Sequence, residues 1–573
     1  MGESFPESVN LVNNHFVNVG KSLAEEVNNK YCNKNPKPNF ESVTFNKRDS
    51  FILMKTDNEE INNIIVNLKN ECSAGWDNIT NKILKEYKHI LTPLLCHIFN
   101  ACLEQGIFPD ALKRSVVIPI YKGGDKVNVN CYRPISILPS LSKILERIIN
   151  SRLIDYLERN NILSENQFGF RSGKSTADAV HTVIDFVVQS LDEGDRCLGI
   201  FLDLAKAFDT VSTKLLLNKL EHLGIRGTQH NLFESYLTNR HQCTKIGENI
   251  SCTQAIEWGV PQGSILGPTL FLIYINNLCG LKLSQGIIVT YADDTVLLFR
   301  GKSWSNVFDI AQVGFNKVTE WLTSNVLTLN AQKTNYITFS INNSTQPTSE
   351  FRLLVHDCSD QITCSCRSLD KVPEIKYLGI ILDQNLNFKR HIHLLSAKVR
   401  RLIHIFKNLR HVADPNLLKI IYYALCESIL RYCICCWGGA HKSNIIVLER
   451  AQRAVLKVCT FKPILHPTSE LYRFCDVLTV RQLFIQNIVL KQHNKLVFQH
   501  LSKRRKDIVC ETNIGRTCFR QRFFRFLGPY IYNTLNKVLI IYPKTLFECK
   551  KVITVWLKSK NYDETERIIS VTS

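Results

Sequence analysis

The sequence predicts an α+β chain in which helices pack on one side of a small antiparallel sheet. Two observations carry this. Short apolar runs rich in β-branched residues are interleaved irregularly with longer stretches of helical periodicity. From about residue 389 onward the strand-like runs cease and the pattern becomes helical and basic.

In chain order, residues 9–27 carry apolar residues at helical spacing, and 34–42 (KNPKPNFES) reads as a linker. Residues 59–70 and 81–106 are amphipathic helices, the second broken at Pro93. A strand at 115–122 ends in a Gly-Gly-Asp turn, and 135–160 begins irregularly before becoming a long helix. Residues 198–208 (LGIFLDLAKAF) read as strand running into helix, with another helix near 212–223. A glycine-bearing loop feeds an apolar helix across 259–278. Two short strands flank a tight turn in GIIVTYADDTVLLF (286–299). A helix at 304–329 and strands at 335–341 and 375–383 follow. The 573 residues are too many for one core. They divide as 1–110, a helical N-terminal extension; 111–383, the mixed strand-and-helix part; 384–480, a helical part; and 481–573, a basic C-terminal region.

A hydrophobic content of 45% marks a globular chain, and the formal net charge is +20. Residues 383–573 hold 33 basic and 12 acidic side chains, whereas 1–382 are nearly balanced with 38 and 39. Charge so concentrated points to a polyanion, most simply nucleic acid, although a solvated basic helical surface has the same composition. The 21 cysteines form no zinc-finger pattern; Cys364-Ser365-Cys366 and Cys433-Ile434-Cys435-Cys436 lack partners, so reduced, mostly buried thiols are expected. No secretory signal and no bilayer-length apolar run is present, which predicts an intracellular protein without a membrane partner.

Asp293 and Asp294 stand at the turn between two apolar runs, where adjacent carboxylates can splay toward one site. Carboxylates beside an apolar core need a compensating cation, and hard oxygen ligands suit Mg²⁺; a polar hairpin tip is the plainer alternative. Asp203 ends the strand in GIFLDLAKAFDTVS, where it either joins the other two carboxylates or caps a helix. Asp209 reads as an ordinary helix or turn carboxylate. In Gly259-Val260-Pro261-Gln262-Gly263-Ser264 the glycines permit close backbone approach to a ligand and Gln262 offers both donor and acceptor; a helix-start loop would also carry such punctuation.

The order FLDLAKAFD, then GVPQGS, then YADD resembles that of reverse transcriptases, and the finer wording resembles the jockey-like polymerases of non-LTR retrotransposons. Tyr132 to Ser136 (YRPIS), Gln167 to Arg171 (QFGFR) with Ser175-Thr176, Trp321-Leu322 with Asn325 to Thr334, and Lys376 to Gly379 (KYLG) all match, over roughly residues 60–460. The resemblance implies a right-hand polymerase fold. The mixed part then forms fingers and palm, the palm holding a small antiparallel sheet, and 384–480 the thumb. It implies an RNA-directed DNA polymerase that takes an RNA template, a DNA primer and deoxynucleoside triphosphates, with two Mg²⁺ ions, or Mn²⁺ in their place. Asp203 and Asp293 are the implied main metal ligands, Asp294 the adjacent supporting one and the Leu204 carbonyl a further one. Phe208 is the implied steric gate under the sugar; Lys122 and Arg133 grip the triphosphate; Gln262, with Gly263 beside it, contacts the nucleotide sugar; Lys333 protonates pyrophosphate, unless it is a plain surface lysine. The KYLG hairpin resembles a primer grip, and the basic helices beyond it a clamp on template and primer.

Elements of this type usually begin with an endonuclease, which is not expected here, nor is a zinc knuckle or a ribonuclease H acidic set after 382. A catalytically silent nucleic-acid-binding relic is the rival reading. A group II intron maturase or a telomerase shares the palm motifs but not the YRPIS and QFGFR wording. The stretch RTCFRQRFFRF (516–526) either stacks on bases or is a buried amphipathic element.

Overall fold

The structure, a computed structural model, describes residues 5–31, 50–348, 350–356, 366–496, 510–511 and 516–570. The linker expected at 34–42 and the residues Cys364 and Ser365 lie outside them. Among the described residues the strands are β1 (Arg114–Tyr121), β2 (Tyr132–Ile137), β3 (Arg196–Leu202), β4 (Arg240–Ile246), β5 (Asn249–Ile250), β6 (Gln254–Ile256), β7 (Gly286–Tyr291), β8 (Asp294–Gly301), β9 (Asn335–Phe339), β10 (Asp370–Lys371), β11 (Glu374–Tyr377) and β12 (Ile380–Asp383). The fold mixes helix and sheet, as expected.

The central sheet runs β10-β9-β3-β8-β7, antiparallel except for the β10–β9 pair. The expectation of helices on one side only is corrected. Cys197, Phe201, Val289, Val296, Leu298, Ile337 and Phe339 pack on helix Thr176–Asp192 and the C-terminal helices. Their alternating neighbours Leu198, Ile200, Leu202, Ile288, Leu297, Phe299 and Tyr336 pack on helices Leu266–Cys279 and Trp304–Ser324. Strands buried on both faces read as continuous apolar runs, and that is how β3, β7 and β8 read.

A second sheet runs β2-β1-β4-β5, with β6 also on β4. YRPIS lies in strand β2, which takes in residues 135–137 of the stretch expected to begin irregularly. Its proline is tolerated because β2 is an edge strand, and the register sets Pro134 opposite Pro119, so two missing N–H groups coincide. Residues 240–256, which carry no strong apolar signal, form β4 to β6.

Three further expectations are corrected. The helix at 81–106 breaks at Tyr87, between Asn81–Glu86 and Lys88–Gln105, and Pro93 lies inside the second piece. Pro93 and His89 are both exposed, so the carbonyl that loses its partner faces water. Residues 203–211 form turns rather than helix, with Lys206 at φ +49°; the helix starts at Thr213. Residues 375–383 are two strands, β11 and β12, joined at Leu378 (φ +43°) and Gly379 (φ +84°).

Helix Val480–Leu496 is buried around nearly its whole circumference. It shares one continuous core with helix Thr176–Asp192 and with helices Lys389–Leu409 and Lys442–Cys459. The aromatic stretch 516–526 is buried: Phe519, Phe523, Phe524 and Phe526 lie in that core. Its arginines tie it to helix Thr176–Asp192, Arg520 to Asp192 at 2.8 Å and Arg525 to Asp185 at 3.4 Å. Among the described residues no helix is long and apolar enough to cross a membrane.

Lys219 is buried between this sheet's helices. Its amine donates to the Tyr274 carbonyl at 2.6 Å and lies over the Tyr274 and Trp321 rings. Burial pushes it down to about 7. The unfolded chain therefore binds the proton that the folded chain has released between about pH 7 and pH 10, so stability rises with pH across that window, by at most about 1.4 kcal/mol per unit. Below about 7 both states are protonated and the destabilising burial of the charge is fully felt. Lys219→Met should raise the unfolding free energy at pH 6 and remove that slope, as read from denaturant melts at pH 6, 7.5 and 9.

Candidate active site

The register of β3 on β8 brings the carboxylates together. Leu202 pairs with Thr295, so the next residues along, Asp203 and Asp294, face one another at the sheet end and project to the same face. Tyr291 pairs with Asp294, leaving Ala292 and Asp293 as a two-residue hairpin loop. Ala292 has φ +54°, the positive value that such loops require at their first position and that only surrounding contacts hold in a residue with a Cβ. Those contacts come from the QFGFR segment. Buried Gln167 accepts from the Ala292 N–H at 3.2 Å, and Phe168 donates to Thr290 at 2.9 Å. Gly169 passes so close that a Cβ there would sit 2.4 Å from the Ala292 nitrogen.

Asp203 is held from the other side. Its N–H donates to Thr334 Oγ1 at 3.2 Å, and its carbonyl accepts from Asn330 at 2.8 Å. Ala205 donates to Thr328 at 2.9 Å. In this bridge Leu204 faces Leu329 without bonding to it, so the Leu204 carbonyl points away from the 328–330 loop. The same loop carries Lys333 to the site.

The three carboxylates feel each other. Burial first, then the charges of Asp293 and Asp203, push Asp294 up to about 6. Burial also raises Asp293, against the pull of its own backbone N–H and of Arg133 and Lys122. A cationic rim faces them. Lys122 and Arg133 share a face of the β1–β2 ribbon, because Ile120 pairs with Arg133 and Lys122 bonds to Cys131 at 2.8 Å. Lys122 is pushed down by burial and then by Arg133, Lys206 and Lys333, which places these four cations together. Lys206 is lowered by burial and raised by Asp209; its amine lies 3.4 Å from the Tyr132 carbonyl.

The glycine loop docks on the turn after β3: Gly259 donates to Val211 at 2.8 Å and Val260 to Phe208 at 2.9 Å. The Gln262 carbonyl accepts from Ser136 at 2.7 Å. Gly263 has φ +123°, and a Cβ there would lie 2.4 Å from the Ser136 oxygen. The Phe208 ring stacks on Phe271 at 4.3 Å and meets Phe170 edge-on at 6.3 Å.

The sequence-expected residues Asp203, Asp293, Asp294, Lys122, Arg133, Phe208, Gln262, Gly263 and Lys333 thus line one region. Four residues were missed. Lys206 and Asp209 belong to the same turn as Phe208; Asp209, expected to be ordinary, is an inward carboxylate bonded to Gln262. Gln167 props the hairpin. Glu146, fully buried, accepts from the Ile265 and Leu266 N–H groups at 2.7 and 3.1 Å, capping the helix that follows the glycine loop. A lone Glu in a helical stretch gives no signal of this, but the spacing of Lys206 and Asp209 around Phe208 does.

Three carboxylates and a turned-out carbonyl are a hard-oxygen donor set, which suits Mg²⁺ or Mn²⁺. Among the described residues no three acidic, His or Cys side chains are closed into a coordination cluster.

Removing the Glu146 cap orphans two buried N–H groups. Glu146→Ala should destabilise the fold by about 2–4 kcal/mol, and Glu146→Gln, which keeps an acceptor, by less; equilibrium denaturation measures both.

Residues 120–382 match the family model described as reverse transcriptase (RNA-dependent DNA polymerase). The chain is 30% identical over 451 residues to the RNA-directed DNA polymerase from mobile element jockey of Drosophila funebris, covering 76% of this chain and 47% of that protein. It is 29% identical over 461 residues to the probable RNA-directed DNA polymerase from transposon BS of Drosophila melanogaster, covering 77% of this chain and 49% of that protein. The chain therefore spans about half the length of the curated relatives it matches. Residues 120–382 are therefore a reverse transcriptase domain, within a chain similar over most of its length to RNA-directed DNA polymerases of mobile elements.

Proposed function

We propose that this chain is an RNA-directed DNA polymerase that extends a DNA primer on an RNA template with deoxynucleoside triphosphates, without a membrane. The observation that carries it is the convergence of Asp203 and Asp294 across the β3–β8 register, with Asp293 at the turn and four cations opposite. In this reading the central sheet is the palm, the β1–β2 ribbon part of the fingers, and the helices within 384–480 the thumb.

Asp203, Asp293, the Leu204 carbonyl and the adjacent Asp294 would hold two Mg²⁺ ions, which supply Lewis-acid activation of the primer 3′-hydroxyl and charge neutralisation of the triphosphate. Lys122 and Arg133 bind the triphosphate oxygens, Arg133 with the planar fork suited to phosphate. Lys206, whose charge acts on Lys122 from the turn after β3, adds a further positive charge. Lys333, carried on the loop that fixes Asp203, is the donor placed to protonate pyrophosphate as it leaves. The Phe208 ring, wedged between Phe170 and Phe271, cannot yield to a 2′-hydroxyl, which selects deoxynucleotides. Turn Leu378-Gly379 guides the primer end; Tyr432 donates to the Leu378 carbonyl at 2.6 Å and so ties this turn to the thumb. The exposed Lys389, Arg390, Lys398, Arg400, Arg401 and Lys407 of one thumb helix grip the phosphate backbone, so binding weakens with salt.

Primer extension on an RNA template with Mg²⁺ tests the reading. Asp293→Asn should reduce incorporation to background while RNA binding stays near wild type; extension at the wild-type rate would overturn the metal assignment. A wild type that binds RNA but never extends a primer would instead favour a silent nucleic-acid-binding relic. Phe208→Val should raise ribonucleotide incorporation relative to deoxynucleotide by about tenfold or more, the scale of relieving one steric clash.

A further inference from the structure

Helix Lys389–Leu409 starts beside β12, where His391 accepts from the Ile381 N–H at 3.4 Å, and runs about 30 Å to its far end. There it meets the end of helix Lys442–Cys459. Arg410 donates to the Val458 carbonyl at 3.3 Å and lies 4.4 Å over the Phe461 ring. Two backbone bonds close the second helix: Lys462 N–H donates to the Lys457 carbonyl at 3.0 Å and Phe461 N–H to the Val458 carbonyl at 3.5 Å. This ending forces the residue after the cap into a left-handed backbone, where glycine is the ordinary occupant because it lacks a Cβ. Here that residue is Phe461, at φ +54°. Core packing does not account for it, since Phe461 is 58% exposed. A strained aromatic that buries little points to something outside the chain.

Its surroundings say what. Phe474 is 64% exposed, with the Lys462 amine 4.9 Å over its ring, and His411 meets Phe461 edge-on at 5.5 Å. Val412, Ile464 and Leu465 project into solvent, Leu465 being 93% exposed. Residues 457–466 hold two lysines, a histidine and no carboxylate. The carboxylates of neighbouring segments are engaged: Asp414 caps Asn416 and Leu417, Asp476 pairs with Lys419 and Lys558, and Glu470 lies 4.0 Å from His466. Exposed flat rings interleaved with cations complement a polyanion that itself carries flat rings. We infer that this tip is a stacking platform for unpaired nucleotides of a nucleic-acid strand. Bases lie against Phe461, Phe474 and the Arg410 guanidinium plane, and a backbone phosphate lies on Lys462. Every base has a π face, so binding tolerates sequence and sugar; a duplex keeps its bases stacked inside and offers the platform none. The inference rests on the nucleic-acid-binding side of the polymerase reading and not on catalysis.

The test measures the affinity of the full chain, as a function of salt, for a labelled uridine homopolymer, a deoxythymidine strand and a duplex, all of one length. Phe461→Gly removes the ring and restores the ordinary residue for that backbone, so its thermal midpoint should stay or rise. Its affinity for both single strands should fall about five- to fiftyfold, the range for one lost stack, with the salt slope and the duplex affinity unchanged. Phe474→Ala is the second variant and should act in the same way. Lys462→Ala should instead flatten the single-strand salt slope by about 0.7, the contribution of one phosphate. No loss in folded Phe461→Gly and Phe474→Ala, or an equal loss for single strand and duplex, would overturn the inference alone. Variants that lose binding to phosphatidylserine vesicles while keeping single-strand affinity would overturn it in favour of a lipid surface. A wild type that binds no nucleic acid would sink the polymerase reading as well.

Discussion

Negative charge concentrated at the end of a sheet that is apolar on both faces is the constraint around which this molecule is organised. Asp203 and Asp294 are placed by strand register, which leaves them no freedom to separate without unpairing β3 from β8. Asp293 joins them through a hairpin loop whose first residue holds a positive φ. Burial first, and then the charges of Asp293 and Asp203, push Asp294 up to about 6. A cation relieves the carboxylates' mutual repulsion, and so does the rim of Lys122, Arg133, Lys206 and Lys333. The two charged sets lie close but do not collapse into ion pairs: among the described residues no salt bridge joins any of the three carboxylates to the rim. Each set therefore keeps its charge without a partner from the other.

Holding such an arrangement open requires support from residues that do no chemistry. Gln167 and Gly169 brace the hairpin from below. Thr334 and Asn330 hold Asp203 while delivering Lys333 on the same loop. Ser136 and Asp209 hold Gln262 from two directions, and Glu146 anchors the helix behind it. Buried polar groups of this kind are costly when unsatisfied, so each bond also fixes one conformation of its loop.

The C-terminal helices extend the same logic outward. Helix Val480–Leu496 lies in one core with the helix that covers one face of the central sheet. Arg481 reaches the Gly438 and Ala440 carbonyls and Glu566, and Arg520 bonds to Asp192. Basic residues in this region thus serve packing as well as surface charge. The +21 excess of residues 383–573 is not all available to a polyanion.

The sequence by itself determined the central strands and the carboxylates that stand at their ends. Asp203, Asp293 and Asp294 each sit against an apolar, β-branched run, and such runs form buried strands wherever they occur. The order of the surrounding motifs also carried the family. What the sequence could not decide was how those strands are covered. Period-two alternation is lost when both faces are buried, so the second helical layer was invisible. Residues 203–208 read as helix because propensity is local, whereas the Asp203 carbonyl and the Ala205 N–H are taken by the 328–330 loop over a hundred residues away, and the Phe208 carbonyl by Val260. Leu378 turns its strand back with its carbonyl held by the distant Tyr432. The rank of Asp209 depended on the same thing. An aspartate in a turn is ordinary until a distant glutamine closes on it, and only the tertiary structure brings the two to 2.8 Å.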